Sequence, residues 1–164
     1  MFIRPEEPAD YQAIDAVTHA AFATVSYGSE HDGKITGLLR KAGALTLSLV
    51  ALERGEIIGH VAFSPVKIAA MDLGWFCLGP VSVRPDHHGQ GVGGALIRNG
   101  LHRLKAQGAK GCVLLGNPKY YGRFDFAITS DLRLAGETSP YLQAIRFSGD
   151  MPQGDVMFHP AFDP

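Results

Sequence analysis

The chain has 164 residues, with 15 basic and 16 acidic side chains and a formal charge of −1. The length predicts a single domain over residues 1–164, and the balanced charge argues against nucleic acid as a partner. No apolar run approaches the ~18 residues of a membrane span, and the start lacks a signal-peptide core, which together predict a cytoplasmic protein without a membrane partner.

The first half of the chain predicts two helices and four strands. Residues 8–23 carry apolar side chains at helical spacing, and Arg54-Gly55 joins two β-branched runs in the manner of a hairpin. The predicted helices are 8–23 and 34–42, and the predicted strands are 2–5, 45–53, 56–70 and 74–85. Between the two helices we expect a polar loop over residues 24–33.

The strand at 74–85 contains Gly79-Pro80 in its middle. Proline has no backbone N–H to donate to a neighbouring strand, so it is rare inside a central strand. We therefore predict a bulge or a break in strand pairing at this dipeptide.

The second half predicts a helix at 94–108, a buried strand at 110–117 and a helical turn at 118–126. Two tail segments, "YLQAIRF" and "DVMFHPAF", alternate enough to supply two more strands. The whole order is β-α-α-β-β-β-α-β-α-β-β, which predicts a mixed sheet with helices against its faces.

The segment "PDHHGQGVGGALI" at 85–97 places four glycines between a strand and a helix. The first N–H groups of a helix have no internal partner and carry partial positive charge, and glycine lets a ligand approach them closely. These features predict a phosphate site, although a glycine-rich turn could also serve helix packing alone. The sequence lacks the acidic residue that a dinucleotide-binding fold carries after the next strand. It also lacks the Gly-Lys-Ser/Thr of a Walker loop.

The stretch "LGPVSVRPDHHGQGVGGALI" resembles the acetyl-CoA motif of the GNAT superfamily of N-acetyltransferases. Val83-Arg84-Pro85 and Gly91-Val92-Gly93 match that motif, while His88 replaces the usual Gln or Arg. "NPKYYGRFDF" at 117–126 resembles a second family segment, with Tyr121 on its tyrosine and Asp125 in place of its glycine. The opening, the "VAFSPV" strand and "YYGRFDF" are most similar to the bacterial YhbS-type branch.

This resemblance implies an α/β (α+β) fold, with a mostly antiparallel central sheet, one splayed parallel strand pair and helices on both faces. Acetyl-CoA would enter where the strands at 78–84 and 111–116 separate, and the backbone N–H of Val81 would polarise the thioester carbonyl. The implied CoA contacts come from the two free strand residues, the loop and the segment after it: Val81, Val83, His88, Gly89, Gly91, Val92, Gly93, Gly94, Asn117 and Tyr121.

The same resemblance implies that Tyr121 is the general acid. A phenol with a pKa near ~10 is protonated at neutral pH and can donate its proton to the departing CoA thiolate. For Tyr120 we expect a core position. Asn117 is implied to hold the pantetheine arm, although Asn-Pro is equally typical of a helix cap.

The general base is left open, because the strand at 74–85 carries no carboxylate. A water relay is one alternative, and the candidate side chains are Glu30, His31, Asp32, His60 and His159. Cys77 and Cys112 lie in apolar runs, which predicts core thiols in a reducing compartment and no disulfide. His87-His88 has no further ligand at metal spacing, so we expect no metal.

Two functions remain from the sequence. The first is an acetyl-CoA-dependent N-acyltransferase that moves the acetyl group directly to a primary amine in a ternary complex. The second is a non-catalytic acyl-CoA sensor or protein-interaction domain of the same fold. Tyr27, Glu30 and His31 are predicted to line the acceptor side, and pairing through the C-terminal strands makes a homodimer plausible.

Overall fold

The structure, a computed structural model, describes residues 1–25 and 30–163, and that part of the chain contains four α-helices and ten strands. The helices are α1 (Tyr11–Phe22), α2 (Ile35–Lys41), α3 (Val92–Ala106) and α4 (Pro118–Tyr121). The strands are β1 (Phe2–Pro5), β2 (Leu47–Glu53), β3 (Glu56–Pro65), β4 (Lys67–Ile68), β5 (Trp75–Val83), β6 (Gly111–Leu115), β7 (Ala127–Ile128), β8 (Leu132–Arg133), β9 (Leu142–Arg146) and β10 (Gly154–Met157).

Seven strands form the central sheet in the order β1-β2-β3-β5-β6-β9-β7. Neighbouring strands run antiparallel except β5 and β6, which pair in parallel from Trp75 opposite Gly111 to Cys77 opposite Val113. The pairing of β5 with β6 covers these three residue pairs, and the two strands separate beyond them. The predicted sheet, with its single splayed parallel pair, is confirmed.

The separation begins at Gly79-Pro80. On its other edge β5 pairs with β3, where Val61 lies opposite Val81 and Phe63 lies opposite Leu78. The three residues from Val61 to Phe63 are thus matched by the four from Leu78 to Val81, which is the predicted bulge. Gly79 has φ of +148°, a conformation that L side chains rarely adopt.

The helices cover both faces of the sheet. Helix α3 buries Leu96, Ile97 and Leu104 in the main apolar core. Its Gly100 permits a close approach to β3, since an added Cβ would lie 2.3 Å from the Phe63 ring. Helix α1 packs against β3 and β5. Along the strands, buried polar residues such as His60 alternate with the apolar residues that face α3.

Several boundaries differ from the sequence prediction. The predicted strand at 56–70 ends at Pro65, and a second sheet of order β4-β10-β8 follows it. Strands β4, β7 and β8 have two residues each, which is too short for a recognisable alternation. Helix α3 begins at Val92 because Gly93 and Gly94 are helical despite their low propensity. No helix within residues 1–25 and 30–163 is long and apolar enough to cross a membrane.

Candidate active site

The gap between β5 and β6 exposes one backbone edge of β5. The N–H of Arg84 donates to the carbonyl of Ile58 on β3 at 2.8 Å. Successive backbone groups of a strand point in opposite directions, so those of Val81 and Val83 point away from β3 and into the gap. This orientation is the one that the predicted roles of Val81 and Val83 require. The Val83 carbonyl is already engaged, because Nε2 of His88 donates to it at 2.7 Å.

The glycine loop leads from the end of β5 to the start of α3. Gly89 has φ of +76° and Gly91, the N-cap, has φ of +82°, so both occupy the left-handed region that favours glycine. An added Cβ at either position would meet no atom within 4 Å, so packing does not explain these two glycines.

The first turn of α3 presents backbone donors at the loop. The first helical bond runs from the N–H of Ala95 to the carbonyl of Gly91 at 3.0 Å. The N–H groups of Val92, Gly93 and Gly94 precede this bond, and within the described residues no side chain caps them. These donors lie at the positive end of a 15-residue helix, which is a suitable environment for a phosphate.

Gly93 and Gly94 also bring α3 close to residues 117–126, the α4 segment, since an added Cβ at Gly94 would lie 3.6 Å from the Phe124 ring. An added Cβ would lie 3.4 Å from Oη of Tyr120 at position 93 and 3.3 Å from Nη1 of Arg98 at position 94. Both positions are thus in contact with neighbouring side chains, which is compatible with the packing interpretation and with the phosphate interpretation.

The loop, the inner edge of β5 and the α4 segment enclose an open cleft of about 640 Å³. The end of α1 closes one side of it through Phe22. Two arginines, Arg98 and Arg123, and two histidines, His87 and His88, line the cleft, whereas no carboxylate of the described residues does. The cleft therefore favours an anionic ligand.

The α4 segment begins at Asn117, immediately beyond β6. The Asn117 side-chain oxygen accepts from the N–H of Lys119 at 2.9 Å, so the structure shows the helix cap that Asn-Pro is typical of. Tyr121 packs on Gly116 at the end of β6, and an added Cβ there would lie 2.5 Å from its ring. Its ring centroid lies 6.2 Å from that of Phe126.

Tyr120 contacts both the core and the cleft. It is half-buried and packs on the core, as predicted, but it also lines the cleft beside Gly93. The sequence pattern does not show which element each tyrosine contacts. In the structure, a single helical turn places Tyr120 towards α3 and Tyr121 towards β6.

His60, one candidate base, is held in a buried polar network on β3. Its Nε2 donates to Oγ of Ser48 at 2.7 Å, and Ser48 donates to the carboxylate of Glu6 at 2.5 Å. Arg40 binds the same carboxylate at 2.8 and 2.9 Å. Burial lowers the pKa of His60 to about 4, so the ring is neutral at physiological pH. His60 is fully buried and does not line the cleft.

The other candidates gather at the C-terminal turn or at the surface. His31 donates to the carbonyl of Ala161 at 2.9 Å, and Nδ1 of His159 accepts from the N–H of the same residue at 2.9 Å. Glu30 is exposed, and Asp32 begins a 3₁₀ turn. None of these four lines the described cleft. Tyr27 lies outside the described residues.

Both cysteines are buried and free. Burial raises the pKa of Cys77 to about 12 and that of Cys112 well above its usual value. Neither thiol has the thiolate character of a nucleophile, which agrees with the predicted core positions. In the part of the chain that the structure describes, no three His, Cys, Asp or Glu residues form a cluster that could hold a metal ion.

Comparison with known proteins identifies the family. The family model described as Acetyltransferase (GNAT) family matches residues 5–126. This chain is a GNAT acetyltransferase. It is 40% identical over 136 residues to the Escherichia coli K12 protein named uncharacterized N-acetyltransferase YhbS, covering 81% of this chain and 78% of that protein. The E. coli K12 N-acetyltransferase YjhQ is 38% identical over 122 residues, which are 73% of this chain and 66% of YjhQ.

Two solved structures extend the comparison to the whole GNAT chain. A GNAT family acetyltransferase from Brucella melitensis, in complex with acetyl-CoA, is 51% identical, with a TM-score of 0.88 over 99% of this chain and 97% of that one. E. coli YhbS in complex with CoA superposes with a TM-score of 0.91 at 35% identity, over 99% and 92% of the two chains. The predicted family, its YhbS-type branch and acetyl transfer from acetyl-CoA are confirmed.

The sequence analysis missed two cleft residues, Arg98 and Arg123. Arg98 lies one helical turn beyond Gly94, and Arg123 lies two residues after Tyr121. A basic residue four positions after a glycine-rich helix start falls on the same helix face, which is the signal that could have found Arg98. Arg123 carries no comparable local signal, because its place depends on how α4 packs against α3.

Proposed function

We propose that this GNAT protein transfers the acetyl group of acetyl-CoA directly to a primary amine while both substrates are bound. The observation that supports this best is the junction of two backbone features. The glycine loop joins the uncapped N–H groups at the start of α3 to β5, whose edge is opened by its separation from β6. One acyl-CoA molecule can span both.

The start of α3 would bind the pyrophosphate, through the N–H groups of Val92, Gly93 and Gly94. Gly89 and Gly91 leave room for that approach. The pantetheine arm would then lie along β5, where the free backbone groups of Val81 and the N–H of Val83 face the gap. His88 closes the loop onto Val83, so we assign its side chain to loop geometry and Asn117 to capping α4 beside the arm.

The chemistry takes place in the gap. The amine nitrogen attacks the thioester carbonyl carbon, the N–H of Val81 stabilises the developing oxyanion, and the C–S bond breaks. Such a donor is worth about 2.7–4 kcal/mol in other acyl-transfer enzymes. Tyr121 gives its phenol proton to the CoA thiolate, and the amine loses its proton to water, since no described carboxylate lines the cleft.

We further propose a cytoplasmic, single-domain protein with a cationic amine as acceptor. Two free thiols suit a reducing compartment, and Glu30, with Tyr27 and His31 in the same segment, would attract a positive charge. The edge strand β7, with Ile128 half exposed, is the surface through which a homodimer would form.

Initial rates with acetyl-CoA and a panel of amines test direct transfer. We expect intersecting double-reciprocal lines, and an unchanged protein mass after incubation with acetyl-CoA alone, because both thiols are buried. Parallel lines with an acetylated protein would contradict direct transfer. Tight acetyl-CoA binding without turnover on any amine or alcohol would instead favour the sensor function.

A further inference from the structure

Gln143 on β9 is a polar side chain that the fold buries completely. Its backbone pairs with Leu114 of β6 on one side and with Ile128 of β7 on the other. Its Nε2 donates to the carbonyl of Gly116 at 2.9 Å and to that of Tyr141 at 3.3 Å. Both partners are acceptors, so the nitrogen end of the amide must face them. The side chain therefore ties the end of β6 to the start of β9.

The other end of this amide is unpaired. Oε1 of Gln143 is buried and has no hydrogen-bond partner among the residues that the structure describes. A buried polar atom without a partner destabilises a fold, and an apolar side chain of similar size would avoid that cost. Packing therefore does not explain a glutamine at this position, whereas the two bonds made by its N–H donors do.

These donors fix Gly116, which connects β6 to the α4 segment. The pairing of β6 with β9 ends at Leu115 opposite Leu142, so the Gly116 carbonyl lies beyond the regular ladder. The N–H of Gly116 donates to the carbonyl of Tyr141 at 3.0 Å, and Gln143 donates to the Gly116 carbonyl. Both backbone polar groups of Gly116 are thus bonded to the first turn of chain at β9.

Gly116 in turn supports the ring of Tyr121. An added Cβ at Gly116 would lie 2.5 Å from Cε2 of that ring and 2.9 Å from Cδ2, so the ring lies directly against the glycine backbone. The N–H of Tyr121 donates to the carbonyl of Asn117, the residue after Gly116, at 3.0 Å. A shift of the Gly116 peptide would therefore move both the ring and the turn that carries it.

We propose that Gln143 is a positioning residue for acetyl transfer, which holds Gly116 so that the hydroxyl of Tyr121 reaches the sulfur of the departing CoA. The proposal rests on the proposed role of Tyr121 as general acid. Proton donation requires a heavy-atom distance of about 2.6–3.2 Å, and a displacement of about 1 Å can lower a rate by about 10²-fold. Gln143 does not line the cleft, so its loss should leave acetyl-CoA binding unchanged.

Gln143→Leu removes both donors at similar side-chain size. We expect kcat to fall by about tenfold and the Kd for acetyl-CoA to stay within about twofold, as measured by steady-state rates and calorimetry. In a Tyr121→Phe background the same substitution should lower kcat by less than about twofold further, because no hydroxyl remains to be positioned. A purely structural role would lower kcat equally in both backgrounds.

Gln143→Glu keeps the shape of the side chain and tests the donors through pH. Burial disfavours the charged form of a carboxyl, and the neutral form can donate its O–H to the Gly116 carbonyl, whereas a carboxylate can only accept. The kcat of this variant, divided by that of wild type, should therefore be highest at low pH and fall as the carboxyl ionises. The same ratio for Gln143→Leu should not change with pH.

Gln153→Leu is the matched control, because Gln153 is exposed and its Nε2 donates to Asp131 at 3.4 Å, away from the cleft. It should change neither kcat nor Kd. If Gln143→Leu does not fold, the pH profile of Gln143→Glu decides the question. Full activity of Gln143→Leu, a loss that is equal in both backgrounds, or a flat profile for Gln143→Glu would overturn the inference alone. Full activity of Tyr121→Phe would instead contradict the proposed general acid, and the positioning role with it.

Discussion

The cleft has two ends that are built by different means. The loop end, Gly89 to Gly94, is six consecutive residues that offer backbone N–H groups. The gap end is built from separate elements. Val81 on β5 lines the cleft, whereas Tyr121 on α4 packs on Gly116 beyond β6 and is not among the residues that line it. This difference separates two tasks. Changes at the loop end should alter acetyl-CoA binding, and changes at the gap end should alter turnover.

The largest effect is expected at the gap end, from Tyr121→Phe. Removal of the phenol proton should lower kcat by about 10²–10⁴-fold, the usual contribution of a general acid. The Kd for acetyl-CoA should change less than twofold, because the ring and its packing on Gly116 are retained. Steady-state rates and calorimetry measure the two quantities.

Tyr120→Phe provides the control, since it removes the same atom from the neighbouring ring at the loop end. It should leave kcat within about threefold. Equal losses of kcat in the two variants, or full activity in Tyr121→Phe, would remove Tyr121 from the chemistry.

The next effect concerns the buried network behind the gap end, where His60 lies opposite Ser82 in the strand pairing. The pKa of His60 is lowered to about 4 by burial, against about 6.5 in an unfolded chain. Between these two pH values His60 is protonated in the unfolded state and neutral in the folded state. The free energy of unfolding should therefore fall by up to about 3 kcal/mol as pH drops from 6.5 to 4.

Glu6 lowers the free energy of unfolding further at pH values below the pKa that its carboxyl has in the unfolded chain. Burial raises the pKa of Glu6, but hydrogen bonds from Arg40 and Ser48 outweigh that and lower it overall, so its contribution is present at neutral pH and disappears in acid. Urea unfolding at pH 7.5, 6 and 5 measures the contribution of His60, and a further measurement below pH 4.5 measures that of Glu6. The His60→Gln variant should have a lower free energy of unfolding than wild type at pH 7.5, and that free energy should change less between pH 6.5 and 5. A wild-type stability that stays constant from pH 7.5 to 5 would contradict the buried neutral histidine.

At the loop end, Gly91→Val should weaken acetyl-CoA binding while kcat stays within about twofold. Gly91 has φ of +82°, and a side chain in that region costs about 1–2 kcal/mol, so the loop must shift. That cost corresponds to about 5–30-fold in affinity. Gly108→Val is the matched control, with φ of +94° at the other end of α3. A similar loss of affinity in both variants would show a general effect on the helix.

The smallest effect is expected for Gly116→Ala, which changes the support of Tyr121 without touching its hydroxyl. The added methyl would lie 2.5 Å from the ring, so the ring must move. We expect kcat to fall by about tenfold through this misplacement, with unchanged acetyl-CoA affinity. Gly122→Ala, where an added Cβ meets nothing within 4 Å, should keep full activity.

The loop end could be predicted from the sequence because its signals are local. Four glycines between a strand and a helix, and the Gly79-Pro80 dipeptide before them, determine backbone conformation within a few residues. The order of the main elements follows from the same kind of pattern. Strands β7 and β8 do not, because two-residue strands exist only through their partners.

The side-chain environment of the candidate bases could not be predicted. His60 on β3 bonds Ser48 on β2, which in turn donates to Glu6 just beyond β1, and His31 bonds the carbonyl of Ala161 across 130 positions of the chain. Sequence spacing carries no information on such contacts. The same holds for Arg123, whose stacking on Tyr120 depends on the packing of α4 against α3.

The most direct test of the account is the amide spectrum of ¹⁵N-labelled protein titrated with acetyl-CoA. If backbone donors bind the ligand at both ends of the cleft, the amides of Val81, Gly93 and Gly94 should shift strongly and exchange more slowly at saturation. The amide of Arg133 in the second sheet should stay unchanged. Saturation with acetyl-CoA while the amides of Val81, Gly93 and Gly94 keep their free positions would contradict the central claim that these backbone groups hold the substrate.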